Sequence, residues 1–495
     1  MFEDFILDVG KEVGREVRGE ERGAMIWFWV SLIFLVAAFV VMGYPITIIS
    51  MLVSLGLVAL FIKYHRLGLY LLILAAPFIG LMVHVPTGEL GLISEFFSGS
   101  ADFALVDGIA IVLFLAWLIK SIYLWKIRGF DRWQIYFPGA LFFGAFIGVA
   151  LLSVFMAGED WQQSFKYCVR PIMFFYLVFL VLPYNLIRSK VELRRVFQIF
   201  YGAGIFSAFL GLVSLFILPA AGLLTRAAPI AFWGISPLGE NHNLLAEVLI
   251  AALPIGMILF HDSKTKWSSL GLALGNGLIF VIALLTFART AWIAILFMAI
   301  VYFALVYQKK LVKISKYILV LILLLAPVII YMYIFSTSYV ALSSTEARLM
   351  LSEIAVQMFG ASPVLGQGAG MFMNYVGATN LFTFEFGQPM EAHGVLQKVM
   401  GEMGLAGLIA LASMFGYVIV RLAKSFKNLP WASQGKYIVA FSLVMAVGSI
   451  CYQLFNTNYY NSKLWIPLAL ALAAAKVFKH EERPGVKKKN AGKKI

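Results

Sequence analysis

The residue that most invites chemistry is Arg289, in Thr286-Phe287-Ala288-Arg289-Thr290-Ala291-Trp292, the only break between two helix-length apolar runs. An Arg at the bilayer centre costs roughly 2.5–3.5 kcal/mol on insertion scales and usually faces a cavity or a partner; near the interface it can instead snorkel as an anchor. Arg226 precedes the next-but-one apolar run upstream, in a loop with Trp233 and Glu240-Asn241-His242-Asn243, and Glu247 follows Asn243 by one helical turn. Arg170 opens another run, with Lys166 one turn earlier. A guanidinium stays charged and grips phosphate oxygens bidentately, each charge-assisted bond contributing roughly 1.5–3 kcal/mol. Two or three such cations at the mouth of a helix bundle make a cradle for a diphosphate on a lipid carrier, and they need no metal.

One long connection accompanies these arginines, residues 337–403, where a loop beyond about 15 residues is usually functional or disordered. Ser343, Ser344 or Thr345 can cap a helix whose apolar positions Ala347, Met350, Leu351, Ile354, Ala355 and Met358 recur at helical spacing, with Arg348 off that stripe and open to an anion. Ser362-Pro363-Val364-Leu365-Gly366-Gln367-Gly368-Ala369-Gly370 then carries three alternating glycines, which permit a tight turn and close approach of another group. A phosphate-binding fingerprint is the weaker reading, because no strand precedes the glycines and no Lys follows them. A second short helix over Glu391-Ala392-His393-Gly394-Val395-Leu396-Gln397-Lys398 would set His393 and Gln397 one turn apart on one face. His393 is structural or catalytic on residue type alone; above a group of arginines, a neutral imidazole can accept a hydroxyl proton.

The elements that must position these side chains are membrane helices. Of 495 residues 62% are hydrophobic and only 13% charged, against about 25% charged in a soluble domain, which excludes a water-soluble globular protein. Fourteen runs reach the roughly 20 apolar residues a span needs: 24–43, 45–62, 67–85, 107–125, 134–156, 171–188, 196–219, 244–261, 267–288, 291–308, 317–336, 404–420, 437–455 and 463–478. The expected fold is therefore all-α, a polytopic bundle of about 14 transmembrane helices with a large, partly helical outer loop. Residues 1–23 form an amphipathic segment on the membrane surface, 24–336 the first eleven spans, 337–403 the outer catalytic loop, 404–478 the last three spans, and 479–495 a basic, disordered tail.

Net charge is +14, which in a soluble chain would suggest nucleic acid. With both termini in the cytoplasm, every second connection is basic, as the positive-inside rule demands. Only Lys166, Arg170, Arg226, Arg289, Arg348, Lys398 and Lys463 fall on the outer side. The charge thus reports orientation in the cytoplasmic membrane and gives no support to a nucleic-acid partner. Cys168 and Cys451 stand far apart in apolar surroundings without ligand spacing, so they read as small packed hydrophobes rather than a disulfide or a zinc site.

At the arginine and glycine segments the chain resembles the O-antigen ligase and polymerase superfamily, membrane glycan-joining proteins that use polyprenyl-diphosphate-linked sugars. Phe287-Ala288-Arg289-Thr290-Ala291-Trp292 looks like the family's S-R-[GT] corner, Ser362-Pro363-Val364-Leu365-Gly366-Gln367-Gly368 like its [DS]-P-L-x-G-x-G turn, and Asn241-His242-Asn243-Leu244-Leu245-Ala246 like its N-x-N-x-x-A. Ala392-His393, then Leu396-Gln397 and Gly401-Glu402-Met403-Gly404-Leu405-Ala406-Gly407, look like A-H-N-x-x-L…E-x-G-x-x-G. Gly394 and Ala288 stand where the family often has Asn and Ser, so side-chain bonds from those positions do not carry over. The resemblance implies a C-type glycosyltransferase-like architecture and metal-independent, inverting transfer without a cofactor. In that reading Arg289 and Arg226 bind the diphosphate and His393 activates the acceptor; Arg348 and Arg170 join the diphosphate site by position, and Asn243, Glu247 and Gln397 are candidate supporting residues.

The acceptor is another lipid-linked repeat, a lipid core or a protein. The competing expectation is a transporter or flippase of the same lipid-linked glycan. It would need polar groups along the path through the bilayer, whereas these spans carry charge near their ends and show no internal repeat.

Overall fold

The computed structural model describes residues 45–86, 100–128, 135–217, 226–306, 339–456 and 460–481. The surface segment 1–23, the runs 24–43 and 317–336, and the tail beyond 481 lie outside them. Two units are distinguished, residues 1–63 with 83–103, and residues 64–82 with 104–495. In the first, α1 (Pro45–Lys63) is a 19-residue apolar helix. A two-stranded sheet of β1 (Met82–Pro86) and β2 (Ser100–Ala104) lies at the boundary of the two units in sequence.

The larger unit is an all-α bundle, and the protein is a polytopic membrane protein. Its elements are α2 (His65–Ala75), α3 (Leu105–Arg128), α4 (Ala140–Ser153), α5 (Trp161–Tyr167), α6 (Leu182–Leu186), α7 (Lys190–Ile217), α8 (His242–His261), α9 (Lys266–Leu285) and α10 (Arg289–Val306). They continue with α11 (Tyr339–Ala361), α12 (Phe372–Ala378), α13 (Asn380–Phe386), α14 (Val395–Asn428), α15 (Gln434–Gln453) and α16 (Ser462–Val477). Among the described residues eight helical stretches are long and apolar enough to cross a membrane. One of them, 140–186, runs from α4 to α6 through a 3-10 turn broken at Gly158 and two π-helical segments, with Pro171 inside the first. A proline cannot donate to the preceding turn, and π-type widening is a common accommodation.

The centre is built by α8, α15 and α16. Most of α8 and α15 is buried, and α16 is closed off along nearly its whole length. Such helices show no polar stripe because they have no water-facing side. Small residues let them approach: Ala246, Ala288, Ala291 and Ala294 pack with Ile250, Met298, Val444 and Tyr452 where α8, α10 and α15 meet. Both cysteines are buried and free, as expected.

Three local expectations are corrected. The run 67–85 is not one helix: α2 ends at Ala75, and turns lead into β1. Apolar composition alone does not separate a span from a buried helix followed by a strand. Ser343, Ser344 and Thr345 do not cap α11, which already includes Tyr339. The second loop helix does not contain His393, since α14 starts only at Val395 and Gly394 precedes it in extended conformation.

Candidate active site

The loop between the apolar runs folds on a core of its own. Leu351, Ile354, Ala355 and Met358 on α11 meet Phe372, Val376, Phe382 and Ala392, all buried, with Met350, Phe386, Met390 and Met400 packed around them. The helical stripe read from sequence is thus the inner face of α11. Helices α12 and α13, which carry no clear periodicity, complete the cover.

The glycine turn locks this cap to the bundle. Gly366, Gly368 and Gly370 all have positive φ, where a side chain is strained. Gln367 and Gly368 donate their backbone N–H groups to Gly401 O and Glu402 O, both at 3.0 Å, while Leu405 and Ala406 donate to Pro363 O and Val364 O. These bonds straddle Gly404, where α14 breaks with φ 62° and ψ −155°. The carbonyls and amides released by the break are therefore satisfied by the turn. Buried Glu402 accepts from the Phe372 N–H at 3.0 Å and from Gly370, and pairs with buried Lys398 at 3.0 Å; Lys398 also reaches Glu391 at 2.7 Å. Glu402 in the family-like block is an anchor of the fold.

Gly394 has a steric explanation. A Cβ there would lie 2.3 Å from Leu454 O, so this packing leaves no room for the family's Asn. Introducing Gly394→Asn is expected to lower the unfolding temperature in detergent and to reduce activity, because Leu454 or the segment ahead of α14 must move. Unchanged unfolding would show that the packing yields.

Arg289 begins α10 at a corner made by Phe287, whose φ of 53° is rare for a bulky residue. Thr286 Oγ1 donates to Ala283 O at 2.7 Å and accepts from the Ala288 N–H at 3.3 Å, and Trp292 Nε1 donates to Leu284 O. The corner is thus held from inside, and Arg289 is exposed at its tip. Backbone pairing brings Arg226 to the same place, since the next residue, Ala227, donates to Leu285 O at 2.8 Å and Ala228 donates to Ser214 Oγ.

Arg348, from α11, is the hub. The Arg289 charge acts on it, it acts in turn on His393, and together with Arg226 it acts on His242 at the start of α8. Burial first, and then the Arg289 charge, lower the Arg348 pKa; burial lowers that of Arg226. Both remain cations, as Arg does in proteins. Arg348 Nε is buried without a hydrogen-bond partner. His393, half-buried beside buried Ala392, is pushed down to about 4 by burial and by Arg348, so it is a neutral imidazole near pH 7.

Six of the seven cations expected on the outer side divide on this structure. Lys398 is paired with Glu402 and Glu391, and Arg170 lies 3.5 Å from Asp107. Lys463 is buried, donates to Leu238 O and Leu244 O at 3.3 and 3.0 Å, and acts on Glu247. Among the described residues Arg226, Arg289 and Arg348 make no ion pair. These like charges, with α10's N-terminus adding partial positive charge, have the chemistry to hold an anion. No three His, Cys, Asp or Glu side chains converge as a metal site among the described residues.

The remaining candidates are supporting parts. Gln397 Nε2 donates to Ser352 Oγ at 2.5 Å on α11, leaving its buried Oε1 without a partner. Asn243 O accepts from Tyr452 Oη at 2.6 Å. Glu247 accepts from Gln453 Nε2 at 2.5 Å and Asn456 Nδ2 at 3.1 Å, inside the bundle and not in the cation group. Tyr452 and Gln453, which the sequence did not single out, and Lys463, expected only as an outer cation, thus hold the first turn of α8. Apolar surroundings hid them, and only the unexplained cation Lys463 offered a signal. Lys463 and Glu247 interact electrostatically inside the bundle, and a buried charge left without its counterpart is costly, so Lys463→Met is expected to lower the unfolding temperature, and Glu247→Gln added to it to recover part of the loss. Recovery absent in the double variant would show that the two do not act as a pair.

An α-helical polytopic membrane protein with a capped, cation-lined mouth is the class that fold and site define. Residues 274–412 match the O-antigen ligase family, a match that supports, over that stretch, the resemblance to the O-antigen ligase/polymerase superfamily. The matched stretch contains Arg289, Arg348, the glycine turn, His393 and the break in α14 at Gly404; Arg226, Asn243 and Glu247 lie before it. It supports a glycan-joining membrane enzyme with a lipid-linked glycan donor. No curated protein matches the chain.

Proposed function

We propose that the protein is an integral membrane glycosyltransferase of the C type that transfers or polymerises polyprenyl-diphosphate-linked glycan on the outer face of the cytoplasmic membrane, with both termini inside. The observation that carries this is the linked group of Arg226, Arg289 and Arg348, without an ion pair among the described residues, in which Arg348 acts on the neutral imidazole of His393. The acceptor hydroxyl gives its proton to a His393 ring nitrogen as its oxygen attacks the anomeric carbon from the side opposite the diphosphate. The bond from that carbon to the diphosphate oxygen breaks, configuration inverts, and the leaving diphosphate remains on the guanidinium groups. That departing charge needs compensation without a proton, which the fixed guanidinium groups supply, and the proposed transfer is metal-independent. Arg170, engaged by Asp107, is the outlying member of the proposed phosphate set.

Purified protein, polyprenyl-diphosphate-linked glycan and candidate acceptors in EDTA test the reading. Transfer is expected, and loss with Arg289→Ala. Movement of lipid-linked glycan across liposomes without bond formation would overturn it in favour of a flippase. Product analysis separates acceptors: longer lipid-linked chains denote a polymerase, glycan on a lipid core a ligase.

A further inference from the structure

Residues 226–242 leave the cation group at Arg226 and return to it at His242, two residues that interact electrostatically. Between them the chain makes a tight reversal: Phe232 and Ile235 exchange backbone hydrogen bonds of 2.8 and 2.9 Å around Trp233 and Gly234. Trp233 has φ 51° and Gly234 φ 80°, the left-handed pair of a turn that favours Asn-Gly or Gly-Gly. Trp233 is also 100% exposed, flanked by exposed Phe232 and Ile235. A bulky aromatic with positive φ and no packing is disfavoured by both backbone and solvent, and such strain concentrates at functional positions. The base of the loop is fixed by Ala227 N–H to Leu285 O and by Gly80 N–H to Pro237 O, so the indole is presented on a pinned support.

We infer that Trp233 is a saccharide subsite: its indole face packs against the apolar C–H face of a pyranose in the glycan whose diphosphate occupies Arg226, Arg289 and Arg348. The inference rests on the glycosyltransferase reading for the location of the diphosphate. Aromatic faces are electron-rich and attract the positive edges of C–H bonds. Seven residues separate Trp233 from Arg226, at most about 23 Å of extended chain, so the platform stands within reach of sugars close to the diphosphate. A glycan is favoured over lipid as the occupant because both ends of the loop join the anion site.

Trp233→Asn is the informative variant, because Asn accepts the left-handed conformation and removes the indole while relieving the turn. The KM for polyprenyl-diphosphate-linked glycan extracted from the source membrane is expected to rise about tenfold, equivalent to about 1.4 kcal/mol. The kcat and the unfolding temperature should hold, and Trp233→Tyr should restore most of the affinity. Tryptophan emission lost between wild type and Trp233→Phe, recorded with water-soluble oligosaccharide released from that lipid, provides a readout independent of turnover. A saccharide-dependent change in this difference signal supports the subsite even if wild-type protein transfers nothing, an outcome that would sink only the enzymatic reading. An unchanged KM, or a difference signal quenched by brominated-lipid vesicles and indifferent to saccharide, would overturn the subsite and make Trp233 a membrane anchor.

Discussion

Alanine at His393 is expected to lower transfer by about 10²–10⁴-fold, the range for loss of a positioned general base, with little change in donor affinity. The pH profile identifies its role more sharply. Burial and Arg348 push the imidazole down to about 4, so the base is neutral above that value and lost as pH falls through it. The acidic limb of kcat/KM, which reports the free enzyme, should therefore lie near 4 rather than near the ordinary histidine value of about 6.5. A conserved kcat in His393→Ala, or an acidic limb that the substitution leaves in place, would remove His393 from the chemistry.

Arg348→Ala should act on both halves of the reaction. It removes a cation that stands between Arg289 and His393, so diphosphate affinity is expected to fall by about 10- to 150-fold, the equivalent of one charge-assisted bond of about 1.5–3 kcal/mol. Removing a positive neighbour also makes protonation of His393 easier. Its pKa rises, and the acidic limb of the residual activity moves to higher pH. Arg348→Lys keeps the charge without the planar fork, so the limb should stay low while donor affinity is only partly retained. A limb that does not move in Arg348→Ala would show that Arg348 does not tune the base. A donor KM equal to that of the wild type would exclude it from the phosphate site.

Short-range features of the site are legible in the residues. The three alternating glycines announce a turn because positive φ is a property of single residues, and the apolar spacing from Ala347 to Met358 gives α11 its buried face. Reading failed where distant backbone decides. Ser343 looks like a cap, but α11 already includes Tyr339. His393 and Gln397 look like neighbours on one helix, whereas Gly394 packs on Leu454 and α14 starts only afterwards. Glu402 reads as one more acid in a motif; in the fold its carboxylate ties the glycine turn to the helix break.

The amino-acid sequence determined by itself that this is a polytopic α-helical membrane protein, because apolar length and charge are properties of each segment and need no partner. It also singled out seven cations that fall outside the basic connections. Which of them find partners within the chain is decided by tertiary structure alone. Arg170 meets Asp107 63 residues away, and the Lys463 ammonium is taken up by the Leu238 and Leu244 carbonyls, while Arg289 acts on Arg348, and Arg226 and Arg348 both act on His242, with no ion pair to any of the three among the described residues. The physical reason is the short reach of ion pairing: it depends on a few ångströms between side chains, and that distance is set by how the helices pack.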